Sequence, residues 1–161
     1  GRSVELIHFN LANRHGPAWR SSDGRPMPGR QNSQHRASPA PIVAGVSHSP
    51  VLPIPTDSVR VLATISDETE ITRAELLWRL DSDGGDPQRV PMRDDGEIDD
   101  GIADNGVLGG EIPPLRVRSI VRFWIEVEAS DGQDEVAKGT HERFVVGSME
   151  RFLERAQEKA L

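Results

Sequence analysis

The chain has no cysteine and no tyrosine, and only 4% of its residues are aromatic. The missing cysteines exclude disulfides, thiolate metal sites and a cysteine nucleophile. They leave the compartment open, since secreted bacterial modules commonly lack them too. No apolar run in the sequence is long enough to serve as a signal segment or to span a membrane. The chain begins with Gly1 rather than Met, and it reads as an internal piece of a longer protein whose targeting signal lies outside these residues. Positive charge is also scarce, with 19 Lys and Arg against 26 Asp and Glu, a net charge of −7. Residues 1–40 hold six Arg against Glu5 and Asp23, a surplus of four that leaves −11 on the remainder. Those Arg are scattered, with only Trp19 among them, so they form no basic stripe of the kind that binds nucleic acid.

Within 161 residues that are 35% hydrophobic there is room for one domain, or one and a part, with a thin core and long surface loops. Residues 3–9 alternate like one strand, with Val4, Leu6 and His8 on one side. A turn-rich tract follows to about residue 41, where Pro17, Pro26, Pro28, Pro39 and Pro41 forbid a helix. From residue 42 the pattern becomes that of short strands: 42–46, 59–65, 73–80, 89–92, 107–112, 119–129 and one including Phe144 to Val146. Val59, Val61, Ala63 and Ile65 share a face, as do Val121, Phe123, Ile125, Val127 and Ala129. About seven short strands broken by turn signals predict an all-β chain built on an Ig-like antiparallel β-sandwich. Residues 148–161 differ: Ser148 is an N-cap, and Met149, Phe152, Leu153, Ala156 and Ala160 share one face of a short C-terminal helix that packs on a neighbour rather than a membrane.

The most distinctive feature is a five-residue beat at 94–106: Asp94-Asp95-Gly96, Asp99-Asp100-Gly101, Asp104-Asn105-Gly106. A period of five suits neither a helix nor a strand. With Glu97 it concentrates six carboxylates and no Lys or Arg. Two readings stay open. In one, the loop binds calcium, a hard cation that takes six to eight oxygens, through Asp95, Asp100 and Asn105, with Asp94 and Asp99 next. In the other, it is a structural loop bonded to itself through Asx turns. Extended, Asp95 and Asp100 would stand about 16 Å apart, so one ion could collect them only if the loop curls, which glycine at every fifth position permits. Carboxylates about 7 Å apart repel by only ~0.6 kcal/mol in water, so solvent can also carry the cluster. The spacing is not that of an EF-hand, because the sixth position from Asp95 is Asp100 rather than Gly, and it lacks a nonapeptide period.

Other candidates are plainer. The stretch 81–86 (DSDGGD) reads as a hairpin turn. The five His show no zinc-ligand spacing. Ser47 and His48 lack a nucleophile elbow, and nothing else joins an acid, a base and a nucleophile, so no enzyme is expected. Trp78 follows the face of Leu76 and Leu80 and belongs to the core. Trp124 lies with Arg122 and Glu126 on the polar face, where Trp124 and Arg122 could contact a ligand.

Several motifs occur in an order that carries a resemblance. His48-Ser49-Pro50, Val59-Arg60-Val61-Leu62-Ala63, Glu75-Leu76-Leu77-Trp78-Arg79, Val90-Pro91-Met92, Asp94-Asp95-Gly96, Ile112-Pro113, Arg122-Phe123-Trp124-Ile125 and Asp131 follow one another between residues 41 and 132. This stretch resembles an Ig-like, fibronectin-type-III-like module of bacterial surface or secreted proteins. The chain departs from the pattern at Asp99 and Asp104, where the family carries Gly, at Asn105, where it carries Asp, and at Leu108, where it carries an aromatic. Gly1-Arg2-Ser3-Val4-Glu5-Leu6 and Pro28-Gly29-Arg30-Gln31-Asn32 resemble the closing segments of a lamin-tail-like domain. The resemblance implies the end of such a domain at 1–33, a linker at 34–41, a sandwich at 42–146, and a helix or linker to a following domain at 147–161. Modules of this kind often sit beside a CotH-like kinase domain, but no kinase-type motif is present here. The implied function is a non-catalytic spacer or adhesion module of an extracellular or cell-surface bacterial protein, with calcium as the cofactor that stiffens the acidic loop. Its partners would be neighbouring domains of the same chain, with no nucleic acid and no membrane insertion. The alternative is an accessory glycan- or protein-binding module of a secreted enzyme or a CotH-like kinase protein.

Overall fold

The computed structural model describes residues 1–25, 28–82, 84–116 and 119–130, and the backbone of 135–147. Nine strands run through it: β1 (Val4–Leu6), β2 (Trp19–Ser21), β3 (Ile42–Ser49), β4 (Val59–Ser66), β5 (Glu70–Leu80), β6 (Gln88–Pro91), β7 (Val107–Ile112), β8 (Ser119–Ser130) and β9 (Glu135–Gly147). The helix predicted for 148–161 lies outside the described residues. Among those residues no helix is long and apolar enough to cross a membrane.

Strands β3 to β9 form an antiparallel β-sandwich. One sheet has the order β3-β4-β7 and the other β6-β5-β8-β9. The chain therefore crosses between sheets at β4–β5, at β6–β7 and at β7–β8. The inward faces are those the alternation marks. Val59, Val61, Ala63 and Ile65 are at most 5% exposed, and Val121, Phe123, Ile125, Val127 and Ala129 at most 1%. Leu76, Met92 and Ile112 complete this core, with Trp78 and Leu80 packed against it. Burying a side chain such as Leu76 or Phe123 stabilises the fold by about 1.5–3 kcal/mol.

Strand register orients the sandwich. Ile42 at the start of β3 pairs with Ser66 at the end of β4, while Gly147 at the end of β9 pairs with Ser119 at the start of β8. Val59 at the start of β4 and Val121 near the start of β8 line one cleft. The start of β4 and the start of β8 thus lie at the same pole, and the chain enters β3 at one pole and leaves β9 at the other.

The N-terminal residues behave differently from the single strand predicted for 3–9. β1 ends at Leu6, and Ile7 instead donates its N–H to the Ala18 carbonyl at 2.9 Å. The turn-rich tract contains a strand the sequence pattern does not reveal, β2, antiparallel to β1 with Leu6 opposite Trp19. Ile7, Leu11 and Ala18 close into a small cluster that includes Ile42 of β3. Residues 34–41 are held against this unit: Arg36 donates its N–H to the Ile7 carbonyl at 2.9 Å, and Pro39 is fully buried.

Candidate functional site

The acidic loop is the crossover from β6 on one sheet to β7 on the other. Its base is fixed by an antiparallel bridge, Arg93 to Gly109, with N–H to carbonyl distances of 2.9 and 2.7 Å. It folds over the outward face of the three-stranded sheet. Ile98 approaches Gly109 so closely that a Cβ there would stand 3.1 Å from the Ile98 Cβ and 3.3 Å from Leu62 Cδ2. One of the two isoleucines of the acidic stretch thus anchors the loop.

The five-residue beat is a conformational beat. Gly96, Gly101 and Gly106 all have positive φ (78°, 104° and 82°), and Asp99 and Asp104 join them at 52° and 62°. Left-handed backbone costs a side chain with Cβ about 1–2 kcal/mol; Gly avoids this, and Asp reduces it by bonding locally. The first repeat therefore has one left-handed residue and the second and third have two each, which curls the loop and brings its ends together.

The curl lets the carboxylates accept backbone donors. Asp94 Oδ2 accepts the Gly106 N–H at 2.6 Å and Asp94 Oδ1 that of Asn105 at 3.2 Å. Asp95 Oδ1 accepts the Glu97 N–H at 3.1 Å, and Asp100 Oδ2 accepts the Asp95 N–H at 3.1 Å. Asn105 donates Nδ2 to the Asp100 carbonyl at 3.1 Å, while its Oδ1 accepts the Val107 N–H at 2.7 Å. The structure thus joins Asp94, Asp95, Asp100 and Asn105 in one hydrogen-bonded loop. Asp99 stands apart, exposed and ion-paired with Arg60 of β4. Asp100 is only 3% exposed, and its Oδ1 is buried with no hydrogen-bond partner. An oxygen in that state can accept either a hydrogen-bond donor or a cation. Among the described residues no group of three or more His, Asp or Glu side chains is placed together as a metal site.

Trp124 and Arg122 occupy the outward face of the four-stranded sheet, as the alternation predicts. Arg122 pairs with Asp81 at 3.1 Å. The Arg79 guanidinium lies 6.0 Å from the Trp124 ring centroid, within cation–π range. Leu77, directly opposite Trp124 in the register, is 1% exposed although it points outward. The half-buried indole is therefore part of a packed patch on the sheet surface. Beside it runs a ladder of ion pairs: Arg73 and Arg89 both reach Glu75, at 2.8 and 2.6 Å, and Arg89 also reaches Glu126 at 3.2 Å. Burial works to raise the Glu75 pKa, but hydrogen bonds and charge from Arg73 and Arg89 outweigh it and hold the carboxyl below its ordinary range. Elsewhere, in the β4–β5 turn, burial pushes Glu68 up, helped by the neighbouring Asp67.

Sequence reasoning missed three participants. Arg60 has no signal, because its meeting with Asp99 depends on how the loop folds over β4. Ile98 is one of two isoleucines in the acidic run, and nothing in the sequence separates it from Ile102, which is 81% exposed. The burial of Asp100 has no sequence signal.

No protein-family model matches the chain, and no curated protein is found to be similar to it.

Proposed function

We propose that this chain is a non-catalytic spacer or adhesion module of a multidomain extracellular bacterial protein, of the Ig-like, fibronectin-type-III-like kind that its motif order resembles. The observation that carries the reading is the placement of entry and exit at opposite poles, Ile42 at one and Gly147 at the other. Modules preceding and following such a sandwich line up end to end, and tension between them runs along the strands. The small β1–β2 unit already packs on the entry pole through Ile7, Leu11 and Ile42, as the end of a lamin-tail-like neighbour would.

The test is to stretch the chain between its ends and record force against extension. Residues 42–147 should rupture in one cooperative step. At about 3.4 Å per extended residue, less a folded strand length of about 40 Å, the gain is roughly 300 Å. Gradual lengthening at low force would overturn the spacer reading. Saturable binding to a glycan array, lost on Trp124→Ala, would favour the binding-module alternative instead.

Calcium stiffens the acidic loop in this reading. The buried, unpartnered Asp100 Oδ1 supports it; Asp95 and Asn105 meet Asp100 through N–H donors, so their own oxygens would have to turn toward the ion to join it. An ion bound at 100 times its Kd adds about 2.7 kcal/mol to stability, read as a higher melting temperature with calcium than with chelator. An identical melting temperature at millimolar calcium would leave the loop as a self-bonded structure.

A further inference from the structure

A cavity lies where the N-terminal unit meets the sandwich. Ile7, Pro17 and Arg20 of that unit, Arg36 and Pro41 of the segment that follows, and Ile42 of β3 line it. Its volume is ≈ 220 Å³, below the roughly 300–1,000 Å³ of a pocket for a drug-sized molecule, so it takes a single ring or a short chain. Its walls offer few backbone donors. Pro17 and Pro41 have no N–H, the Ile7 N–H is given to the Ala18 carbonyl, and that of Arg36 to the Ile7 carbonyl. Arg20 and Arg36 are the only charged residues among the described residues that line it.

Neither arginine is neutralised. The sandwich arginines Arg60, Arg73, Arg89 and Arg122 each pair with an acid, whereas no ion pair holds Arg20 or Arg36 among the described residues. The acids of the N-terminal unit are engaged elsewhere: Glu5 accepts from Ser33 and Gln34, and Asp23 from Gln34. Arg20 Nη1 donates to the Pro17 and Trp19 carbonyls, both at 2.9 Å. Those bonds fix the guanidinium and leave its charge unmatched. A guanidinium presents its N–H groups as a planar fork that suits the oxygens of a carboxylate or phosphate. The two charges therefore call for an oxyanion, and the aliphatic and proline walls call for an apolar body attached to it.

We propose that this cavity binds a small organic anion, a ring or short chain bearing one carboxylate or phosphate, with its oxyanion on Arg20 and Arg36 and its apolar body on Ile7 and Ile42. The full chain is titrated with benzoate, phenyl phosphate, inorganic phosphate and benzyl alcohol while its amide resonances are followed by NMR. Benzoate or phenyl phosphate should shift Ile7, Ile42 and Val43 saturably at one ligand per chain, and the tighter of the two names the headgroup. Benzyl alcohol lacks the charge and inorganic phosphate lacks the apolar body. Each should bind at least about tenfold more weakly, since a charge-assisted hydrogen bond and a buried ring each contribute that much or more. Arg36→Gln removes a charge and keeps the backbone bond to Ile7, and Ala40→Glu sets a carboxylate on an exposed residue of the wall. Each variant should weaken binding by at least about tenfold. No saturable shift at these residues with either organic anion, or equal affinity in the parent and both variants, would overturn the proposal. Benzyl alcohol binding as tightly as the anions would overturn it by making the cavity a plain apolar pocket. Inorganic phosphate binding as tightly as phenyl phosphate would overturn it by leaving the apolar wall without a part.

Discussion

The acidic loop and the outward face of the four-stranded sheet both crowd carboxylates together, and they settle the charge by different means. In the loop the acceptors are met mainly by backbone N–H groups: two on Asp94, one on Asp95, one on Asp100. On the sheet, Glu75 and Glu126 are met by Arg73 and Arg89. The difference matters for what each carboxylate does. A side chain that caps backbone amides holds the conformation that created them, so its loss unravels the turn. A side chain paired with Arg on a sheet rests on backbone already fixed by strand pairing, so its loss costs only the pair. Carboxylate density alone therefore does not define a cation site; the donors already aimed at each oxygen decide which oxygens remain available, and here Asp100 Oδ1 is one that does.

This contrast can be broken most forcefully at Asp94. Asp94→Ala removes the acceptor for the Asn105 and Gly106 amides. Hydrogen bonds to a charged acceptor contribute about 1.5–3 kcal/mol each, so a loss of about 2–4 kcal/mol is expected in denaturant unfolding, with Asp94→Asn intermediate. A loss under about 0.5 kcal/mol would make the loop a passenger, against the usual cost of stranding a buried donor. Next comes Gly101→Ala, which places a Cβ at φ 104° and 2.6 Å from Asn105 Nδ2. About 1–3 kcal/mol should be lost, and a melting temperature equal to that of the parent would show that the left-handed turns are not required.

The sheet ladder should respond less. Glu75→Gln is expected to cost about 0.2–1 kcal/mol near neutral pH, the range for exposed pairs. Because the folded pKa of Glu75 is lowered, its contribution is present above the unfolded value of about 4.3 and fades as pH falls through the folded one. Stability curves of parent and variant should therefore converge in acid; curves that stay parallel would assign the loss to packing. The smallest effect has the opposite sign. Glu68 is raised by burial, so its favourable contribution is complete below the unfolded pKa and is lost as pH rises through the folded one. Glu68→Gln should raise the melting temperature slightly at pH 7 and make no difference at about pH 4 and below. A lower melting temperature at pH 7 would mean that the bond with Ser38 outweighs the burial cost.

The sandwich was legible wherever one face of a strand is buried. β4 and β8 alternate without a break, and every predicted inward residue is buried. Legibility failed where burial comes from outside the strand. Leu77 points outward and is buried beside Trp124, a contact between strands far apart in sequence. β2 hides in a Pro-rich tract because three residues are too few to show a period and its stability comes from β1 and the Ile42 cluster. In the acidic loop, the turning role of glycine was visible from spacing. The left-handed Asp99 and Asp104, the Arg60 partner and the burial of Asp100 were not.

What the sequence determined by itself is local: which residues of the sandwich strands turn inward and where the glycines turn the chain. Alternating side chains and left-handed positions are properties of neighbouring residues, and they follow from the pleat and from backbone sterics. What only the tertiary structure decided is relational: the order of strands in the two sheets, the opposite poles of entry and exit, the pairing of Asp99 with Arg60, and the burial of an Asp100 oxygen without a donor. Those depend on distances between residues far apart along the chain, and they become fixed only when the core closes and sets one sheet against the other.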